Sequence, residues 1–153
     1  MGAALLGDLS ALPRAERNVI WRFFTHPGAR ERHDPATGER FARESVADLR
    51  AAAARYPRDP GIRDLVRRLL GASAEFRRLW GEREVQARRS TAKKIRHPEV
   101  GWLDLDCDAL HDPERDHWII LYTAAPGTPT HHALQLLQVL GTQWSAASGT
   151  PGI

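Results

Sequence analysis

The chain has 153 residues, of which 42% are hydrophobic and 27% charged, a composition typical of a single globular domain. No apolar run approaches the roughly 20 residues that span a bilayer, and the start MGAALLGDLS lacks the basic and apolar regions of a secretion signal. A cytoplasmic location is therefore expected. The formal charge of +3 permits an anionic partner but is too small to indicate one. A composition rich in arginine and poor in lysine is also what a genome of high GC content produces.

Helical periodicity dominates the first two-thirds of the chain. A first helix is predicted to open near Pro13 and to stop at Pro27 and Gly28, before a polar turn over residues 33–40, HDPATGER. Three more helices are predicted, one ending at Pro57, one with Asp59 and Pro60 as N-cap and first turn, and one capped by Ser73. The predicted apolar faces of the four helices consist, in chain order, of Val19, Ile20, Phe23 and Phe24; Ala42, Val46, Leu49, Ala53 and Tyr56; Ile62, Leu65, Val66, Leu69 and Leu70; and Phe76, Leu79 and Trp80.

The hydrophobic period changes from helical to strand-like after Glu82. Residues 85–98 fit solvent-facing strands, and VGWLDLDC over residues 100–107 alternates so that Leu103 and Leu105 share a face opposite the acidic residues. A turn is expected at 98–101, which makes this segment an antiparallel hairpin. HWIILYT is almost wholly apolar, which predicts a central strand covered on both faces.

The end of the chain predicts one more helix. Thr128 is placed to cap it and Pro129 to open it. The folded domain is expected over residues 4–141 and a flexible tail over 142–153. Helices, then an antiparallel sheet, then one packing helix define an α+β fold. The predicted buried stripe of the last helix is Ala133, Leu136, Leu137 and Leu140.

Residues with catalytic or metal-binding potential form no recognisable constellation. The histidines show no HExxH spacing, and no phosphate loop, GxSxG or GxGxxG motif is present. Cys107 is the only cysteine, and its neighbours Asp106 and Asp108 disfavour a reactive thiolate. The row of Asp104, Asp106 and Asp108 is typical of the solvent side of a strand. The sequence therefore predicts no enzyme activity, no cofactor and no metal.

The densest basic segment admits three interpretations. It comprises Arg88, Arg89, Lys93, Lys94 and Arg96. It is either a plain solvated edge, a contact for phosphates without aromatic residues for base stacking, or a source of one or two cations that anchor a ligand carboxylate.

Four stretches of the chain resemble a known family. GDLSALPRAERNVIWRFFTHPGAR, VADLRAAAARYPRDPGIRDLVRRLLGASAEFRRLW, RRSTAKKIRHPEVGWLDLDCDAL and LYTAAPGTPTHHALQLL are similar to the C-terminal ligand-binding region of MmyB-like transcription regulators. The order of LR, P-x-DP, F-R-x-LW, K-x-x-RHP-x-VG and YTA-x-PG-x-P makes the resemblance specific. It implies a PAS-like domain in which N-terminal helices pack on a small antiparallel sheet. It also implies a small apolar or fatty-acid-like ligand in an internal pocket, and DNA binding only through a bacterial XRE-type helix-turn-helix domain that this chain lacks.

The chain departs from the pattern of that family at three places. The resemblance begins after a strand pair that the family usually has, so the strand of HWIILYT is expected to keep an unpaired edge. A homodimer, a swapped arrangement or a partner chain that supplies the missing strands would cover it. His26 stands where the family has an aspartate and Arg83 where a histidine is usual, so ligand specificity is expected to differ.

The resemblance favours a ligand-sensing regulatory domain. The alternative is a truncated interaction module that pairs with full-length regulators and has no ligand or DNA binding of its own. Apolar pocket walls and a hydroxyl are predicted, together with basic groups for an acidic head group. The predicted walls are Trp21, Phe24, Leu49, Trp80, Ile120 and Tyr122, and the predicted polar contacts are Arg89, Lys94 and His97.

Overall fold

The computed structural model describes residue 9, residues 12–13, 16–82, 91–112, 114 and 117–147, with the backbone alone for 91, 117 and 141–147. The chain divides into two compact units, Arg14–Ser90 and a second formed by Met1–Pro13 with Thr91–Ile153. The described residues of the first unit are helical, and those of the second form a sheet followed by one helix. This order of elements confirms the predicted α+β class. None of the described helices has the length and apolarity that crossing a bilayer requires.

Each helix of the first unit except the short second one begins after a side chain that accepts a backbone N–H group. The helices are α1 Val19–Thr25, α2 Pro27–Arg30, α3 Pro35–Arg55, α4 Pro60–Ala72 and α5 Ala74–Glu82. Asn18 Oδ1 accepts from the Trp21 N–H at 3.0 Å, and Asp59 Oδ1 accepts from the Ile62 N–H at 2.9 Å. Ser73 Oγ accepts from the Phe76 N–H at 3.1 Å, as predicted.

The turn predicted over residues 33–40 is wrong, because this segment opens α3. Asp34 Oδ1 accepts from the Ala36 N–H at 3.2 Å, and Pro35 occupies the first helical turn. An aspartate followed by proline is the same start signal that Asp59 and Pro60 give for α4. The abundance of polar residues concealed it.

The predicted helical faces meet in one core within the first unit. Three residues of the predicted faces lie outside this core: Val19 and Tyr56 are exposed at helix ends, and Ala53 is partly buried but does not join the cluster. Partly buried residues surround the core, among them Phe24 and Trp80 from the predicted faces and also Trp21, which the predicted face did not include. Its buried members are Phe23, Ala42, Val46, Leu49, Leu69, Phe76 and Leu79.

The sheet of the second unit has three antiparallel strands in the order β1-β2-β3. They are β1 Thr91–His97, β2 Gly101–Asp112 and β3 His117–Thr123. The turn between β1 and β2 lies where it was predicted, and Gly101 there has a φ of 77°, a conformation that favours glycine. The predicted strand positions Val85 and Ala87 lie outside the described residues.

The alternation along β2 divides the sheet into two faces. Leu103, Leu105 and Cys107 are buried on one side, which we call the inner face, while Asp104 and Asp106 are exposed on the outer face, as predicted. Residues paired across antiparallel strands have their side chains on the same face. The register therefore also shows which residues of β1 and β3 lie on each face. The inner face further holds Ile95, His97, Ala109, His111, Trp118, Ile120 and Tyr122, and the outer face Lys94, Trp102, Asp108, Leu110, Ile119 and Leu121.

The last helix, α6 Pro129–Ala147, packs on the inner face over β2. Thr128 Oγ1 accepts from the His131 N–H at 3.2 Å, which confirms the predicted cap. Leu137 joins Ile95, Leu103 and Leu105 in a second buried cluster. Because β3 ends at Thr123, it does not reach the Asp104 position of β2, and Thr130 Oγ1 accepts from the Asp104 N–H at 3.0 Å instead. This bond docks the first turn of α6 at the sheet.

The predicted buried stripe of α6 is only half correct. Leu137 is buried and Ala133 partly buried, whereas Leu136 is 52% exposed and Leu140 is exposed as well. The side of the helix that faces the sheet instead carries Thr130, Ala133, Leu134 and Leu137. Helical spacing alone allowed either Leu134 or Leu136 and Leu140 to face the sheet. The hydrogen bond of Thr130 to Asp104 turns the helix so that Leu134 does. The helix continues past Gly141 to Ala147, residues 148–153 lie outside the description, and the flexible tail stays a prediction.

Strand β3 is not the covered central strand that its composition predicted. In the described part of the chain it pairs with β2 alone, which makes it an edge strand. Four consecutive apolar residues, Trp118 to Leu121, are between 42% and 53% exposed, so both faces of the strand are open. An apolar run indicates a need for burial and does not reveal which partner supplies it.

The cluster beneath α6 is expected to dominate the stability of the sheet unit. We expect Leu103→Ala to cost about 2–5 kcal/mol, because the side chain is fully buried and its removal leaves a cavity. Leu110→Ala, on the same strand but 53% exposed, is expected to change stability by less than about 0.5 kcal/mol. Urea denaturation followed by circular dichroism checks both, and equal losses would contradict the assignment of the two faces.

Candidate functional site

The predicted ligand-binding residues of the helical unit lie around one aromatic cluster. Phe24 meets Phe76 edge-on with ring centroids 5.2 Å apart, and Trp80 stacks on Phe76 at 5.4 Å. Trp21 and Leu49 belong to the same apolar cluster. Phe24, Trp21 and Trp80 are partly buried and Leu49 is buried, so three of the four retain some exposed surface.

Guanidinium groups lie over the indole rings of this cluster. The Arg68 guanidinium carbon is 4.1 Å from the Trp21 ring centroid, and that of Arg50 is 5.3 Å from the Trp80 centroid. Arg50 also donates to the carbonyl oxygens of Leu79 and Trp80, at 3.2 and 2.8 Å. Cations over indole faces and at a helix C-terminus are both stabilising. The arginines therefore fix the orientation of the two indoles.

A shallow hollow between α3 and α5 is lined by both charged and apolar side chains. Its lining consists of Arg43, Val46, Arg50, Leu79 and Glu82. Arg43 contacts Glu82 at 3.6 Å, and Arg50 is committed to the carbonyls of α5. The charges of this hollow thus serve to join the helices.

The sheet unit exposes an apolar strip on its inner face. It lies beside the part that α6 covers, and it consists of Ala109, His111, Trp118, Ile120 and Tyr122, which we call the open strip. Tyr122 touches the buried cluster beneath α6, whereas Ile120 and Trp118 are exposed. The rings of His111 and Trp118 stack with centroids 4.5 Å apart. The open strip is thus an exposed, partly aromatic surface beside the buried cluster.

The hydroxyl of Tyr122 gives the open strip one polar group. Burial raises the pKa of Tyr122 to about 12, and the adjacent Cys107 contributes to the rise through its charge and a hydrogen bond. The phenol consequently stays neutral at physiological pH and can both donate and accept a hydrogen bond. Cys107 itself is buried.

The predicted basic contacts are not gathered at the open strip. Lys94 lies on the outer face, with Nζ 3.8 Å from Asp104 Oδ1. His97 is buried on the inner face, but it pairs with Gly101, eight residues or about 27 Å along β2 from the partner of Ile120. His97 Nδ1 accepts from the Glu99 N–H at 3.2 Å within the hairpin turn. Arg89 lies outside the described residues.

Sequence reasoning missed three residues of the open strip, namely Ala109, His111 and Trp118. Trp118 and His111 were not named as site residues, although period two places Trp118 on the same face as Ile120 and Tyr122. The signal was thus present in β3 itself. The partner of Trp118 depends on the register between β2 and β3, which no local pattern specifies.

The outer face carries the acidic row that the sequence assigned to solvent. Asp104 and Asp106 are exposed and Asp108 is partly buried. Within the described segments, no three His, Cys, Asp or Glu side chains are grouped so that they could hold a metal ion.

The described residues thus form a helical unit and a sheet unit that exposes the open strip. Comparison with protein families places residues 1–137 in the MmyB-like transcription regulator ligand binding domain. The match covers most of the 153 residues, and the chain belongs to this family of regulator domains. The resemblance in the sequence motifs is thereby confirmed. No curated protein and no solved structure shows a significant match to the chain.

The raised pKa of Tyr122 predicts a loss of stability in alkali. An unfolded tyrosine ionises near pH 10, whereas the folded one holds its proton to about 12. The folded state therefore binds more protons between these values, and its stability falls as pH rises through them. Spectrophotometric titration should show a tyrosine step near pH 12 that Tyr122→Phe removes and Tyr56→Phe leaves. If the step near pH 12 remained in Tyr122→Phe, the raised pKa would not belong to Tyr122.

Proposed function

We propose that this chain is the ligand-sensing domain of a bacterial XRE-type transcription regulator, acting in the cytoplasm, and that it binds a small apolar or fatty-acid-like molecule. Membership of a family of ligand-binding domains supports the general activity. The open strip is the observation that carries the ligand class. It presents exposed indole and aliphatic surface, with a neutral hydroxyl at its edge.

The chemistry of the open strip favours an apolar molecule with one polar end. Burial of Ile120 and Trp118 would remove exposed apolar surface from water, at about 25 cal/mol for each Å². The Tyr122 hydroxyl offers a hydrogen bond to a carbonyl or carboxyl group. Small-molecule sites commonly combine an apolar lining with a few polar groups, which here would be the Tyr122 hydroxyl and the His111 imidazole.

The remaining predicted contacts, which lie outside the open strip, also belong to this proposal. In the helical unit they are Trp21, Phe24, Leu49 and Trp80, of which the indoles are held by arginines. Arg89, Lys94 and His97 stay the predicted contacts for an acidic head group. Since Lys94 lies on the outer face and His97 lies about 27 Å along β2 from the partner of Ile120, the Tyr122 hydroxyl is the nearer partner for the polar end of a ligand on the open strip. A PAS-like arrangement and an internal pocket are likewise parts of the proposal.

Ligand binding would act by selecting one arrangement of the domain. A ligand changes an equilibrium only by its difference in affinity for the two states. A helix-turn-helix domain linked to this one would then change its affinity for DNA. The size of that change is limited by the difference in ligand affinity between the two states. No enzymatic step and no cofactor is proposed.

The ligand proposal is tested by equilibrium dialysis with dodecanoate as the probe. Ile120→Asp, on the open strip, is expected to weaken binding at least ~10-fold, because the carboxylate would be buried against an apolar chain. Ile119→Asp is the matched control, since it is the preceding residue, is similarly exposed and lies on the outer face. No binding to the unaltered chain, or equal losses in both variants, would overturn the proposed site.

A second candidate function is an interaction module that pairs with full-length regulators and has no ligand of its own. The exposed apolar edge strand β3 favours it, because such edges pair readily with other chains. Co-purification of this chain with a full-length regulator of the family, in the absence of dodecanoate binding, would favour this candidate over the sensor.

A further inference from the structure

We propose that the outer face of the sheet docks a basic amphipathic helix of a partner protein. The docking surface consists of Leu110, Ile119 and Leu121, with Asp106 and Asp108 beside them, and we call it the outer patch. It lies on the opposite face of the sheet from the open strip. The proposal therefore does not depend on ligand binding.

The apolar part of the outer patch is contiguous and exposed. Leu110 pairs with Ile119 across the two strands, and Leu121 lies two residues, about 7 Å, from Ile119 along β3. Leu110 and Ile119 are each 53% exposed, and Leu121 is 42% exposed. Contiguous apolar surface that polar residues border is typical of an interaction site.

Two carboxylates border this apolar surface. Asp108 pairs with Leu121 on β3, and Asp106 pairs with Thr123 on β3 and with Ala92 on β1. The register of the described strands thus sets no basic residue directly opposite either carboxylate. Asp106 and Asp108 are about 7 Å apart on one face, so their charges repel, and a cation from a partner would relieve that repulsion.

The other end of the outer face has a different charge pattern. There β1 contributes Lys94 and Arg96, and Lys94 Nζ lies 3.8 Å from Asp104 Oδ1. Both signs of charge are present at that end, whereas the outer patch carries negative charge alone. The docked helix is therefore expected over β2 and β3.

The negative charge of the outer patch selects the class of partner. Carboxylates repel the phosphates of nucleic acids and of anionic lipids. A second copy stacked face to face would bring two sets of carboxylates together, and like charges across an interface are costly. The last helix of a second copy would not complement them either, since Pro129–Ala147 contains no lysine or arginine. A partner with lysine or arginine beside apolar side chains is complementary in both respects.

A helix is the element that fits this flat surface. Sheets bury an apolar face against helices, as α6 does on the inner face, where Leu137 packs on Leu103 and Leu105. An amphipathic helix presents an apolar stripe at i, i+3, i+4 and i+7, with charged side chains along its flanks. The stripe would cover Leu110 and Ile119, and the flanking cations would meet the carboxylates.

Fluorescence anisotropy with a synthetic peptide as the probe tests the partner class. The peptide has about 18 residues, long enough to form a helix, with leucine on one face and lysine along the flanks. A matched peptide has glutamate in place of each lysine. The unaltered chain is expected to bind the lysine peptide, more weakly as salt is raised, and not the glutamate peptide. No binding of the lysine peptide, or equal affinity for both, would overturn the proposal.

Charge-removing variants locate the binding site of the peptide. Asp106→Asn with Asp108→Asn is expected to weaken binding of the lysine peptide at least ~3-fold, because two opposite-charge contacts are lost. Glu31→Gln with Glu99→Gln is the matched control, since it removes the same charge from two exposed positions outside the outer patch. Equal losses in the two double variants would show attraction to net charge alone and would overturn the site.

Truncation of the apolar side chains gives an independent test. Leu110→Ala with Ile119→Ala is expected to weaken peptide binding at least ~10-fold, whereas Leu136→Ala, equally exposed on α6, should leave it unchanged. Dodecanoate binding should persist in every variant, which separates failure of this proposal from failure of the sensor function. If the unaltered chain sediments as a dimer that the Leu110/Ile119 double variant dissociates, the outer patch binds a second copy and the proposal is overturned.

Discussion

The packing of Leu103 and Leu105 against Leu137 fixes the two faces of the sheet, and the other features of the sheet unit follow from it. Because these leucines are two residues apart on β2, their burial sends Asp104 and Asp106 to solvent. The antiparallel register then assigns Ile120 and Tyr122 to the inner face beside α6. The Thr130 hydroxyl, bonded to the Asp104 N–H, holds the helix where it covers only part of that face.

Incomplete covering leaves the sheet unit with an exposed apolar surface, to which we assign the proposed function. Strand β3 exposes indole and aliphatic side chains on both faces, although a soluble protein normally buries such a run. On the inner face this surface forms the open strip, to which we assign a small apolar ligand. At the strand edge it offers backbone groups and apolar side chains to a second chain, as the interaction-module candidate requires. Both uses involve the exposed side chains of Trp118 and Ile120.

Local signals in the sequence predicted most of the elements. Asp59, Ser73 and Thr128 were identified as caps because their hydrogen bonds involve only the next three residues. The alternation of β2 was equally local, and it predicted both faces correctly. The cap at Asp34 was not predicted, although its signal was equally local, because the polar residues around it suggested a turn.

Features that depend on distant residues could not be predicted in the same way. The rotation of α6 depends on the bond between Thr130 and Asp104, which are far apart in the sequence. The edge position of β3 depends on strand order, and its apolar composition indicated the opposite. For the site, Ile120 and Tyr122 were named from composition, whereas the stacking of Trp118 on His111 required the register. Family membership was predictable because motif order is a property of the sequence itself.

The central claim is our proposal that the open strip of β3 binds a small apolar molecule. Native mass spectrometry of the unaltered chain as purified tests it most directly, because the spectrum reports any retained molecule as added mass. The account predicts a species whose mass exceeds that of the polypeptide by a small apolar molecule. A chain that carries no added mass, and that takes up no dodecanoate when it is offered, would contradict it.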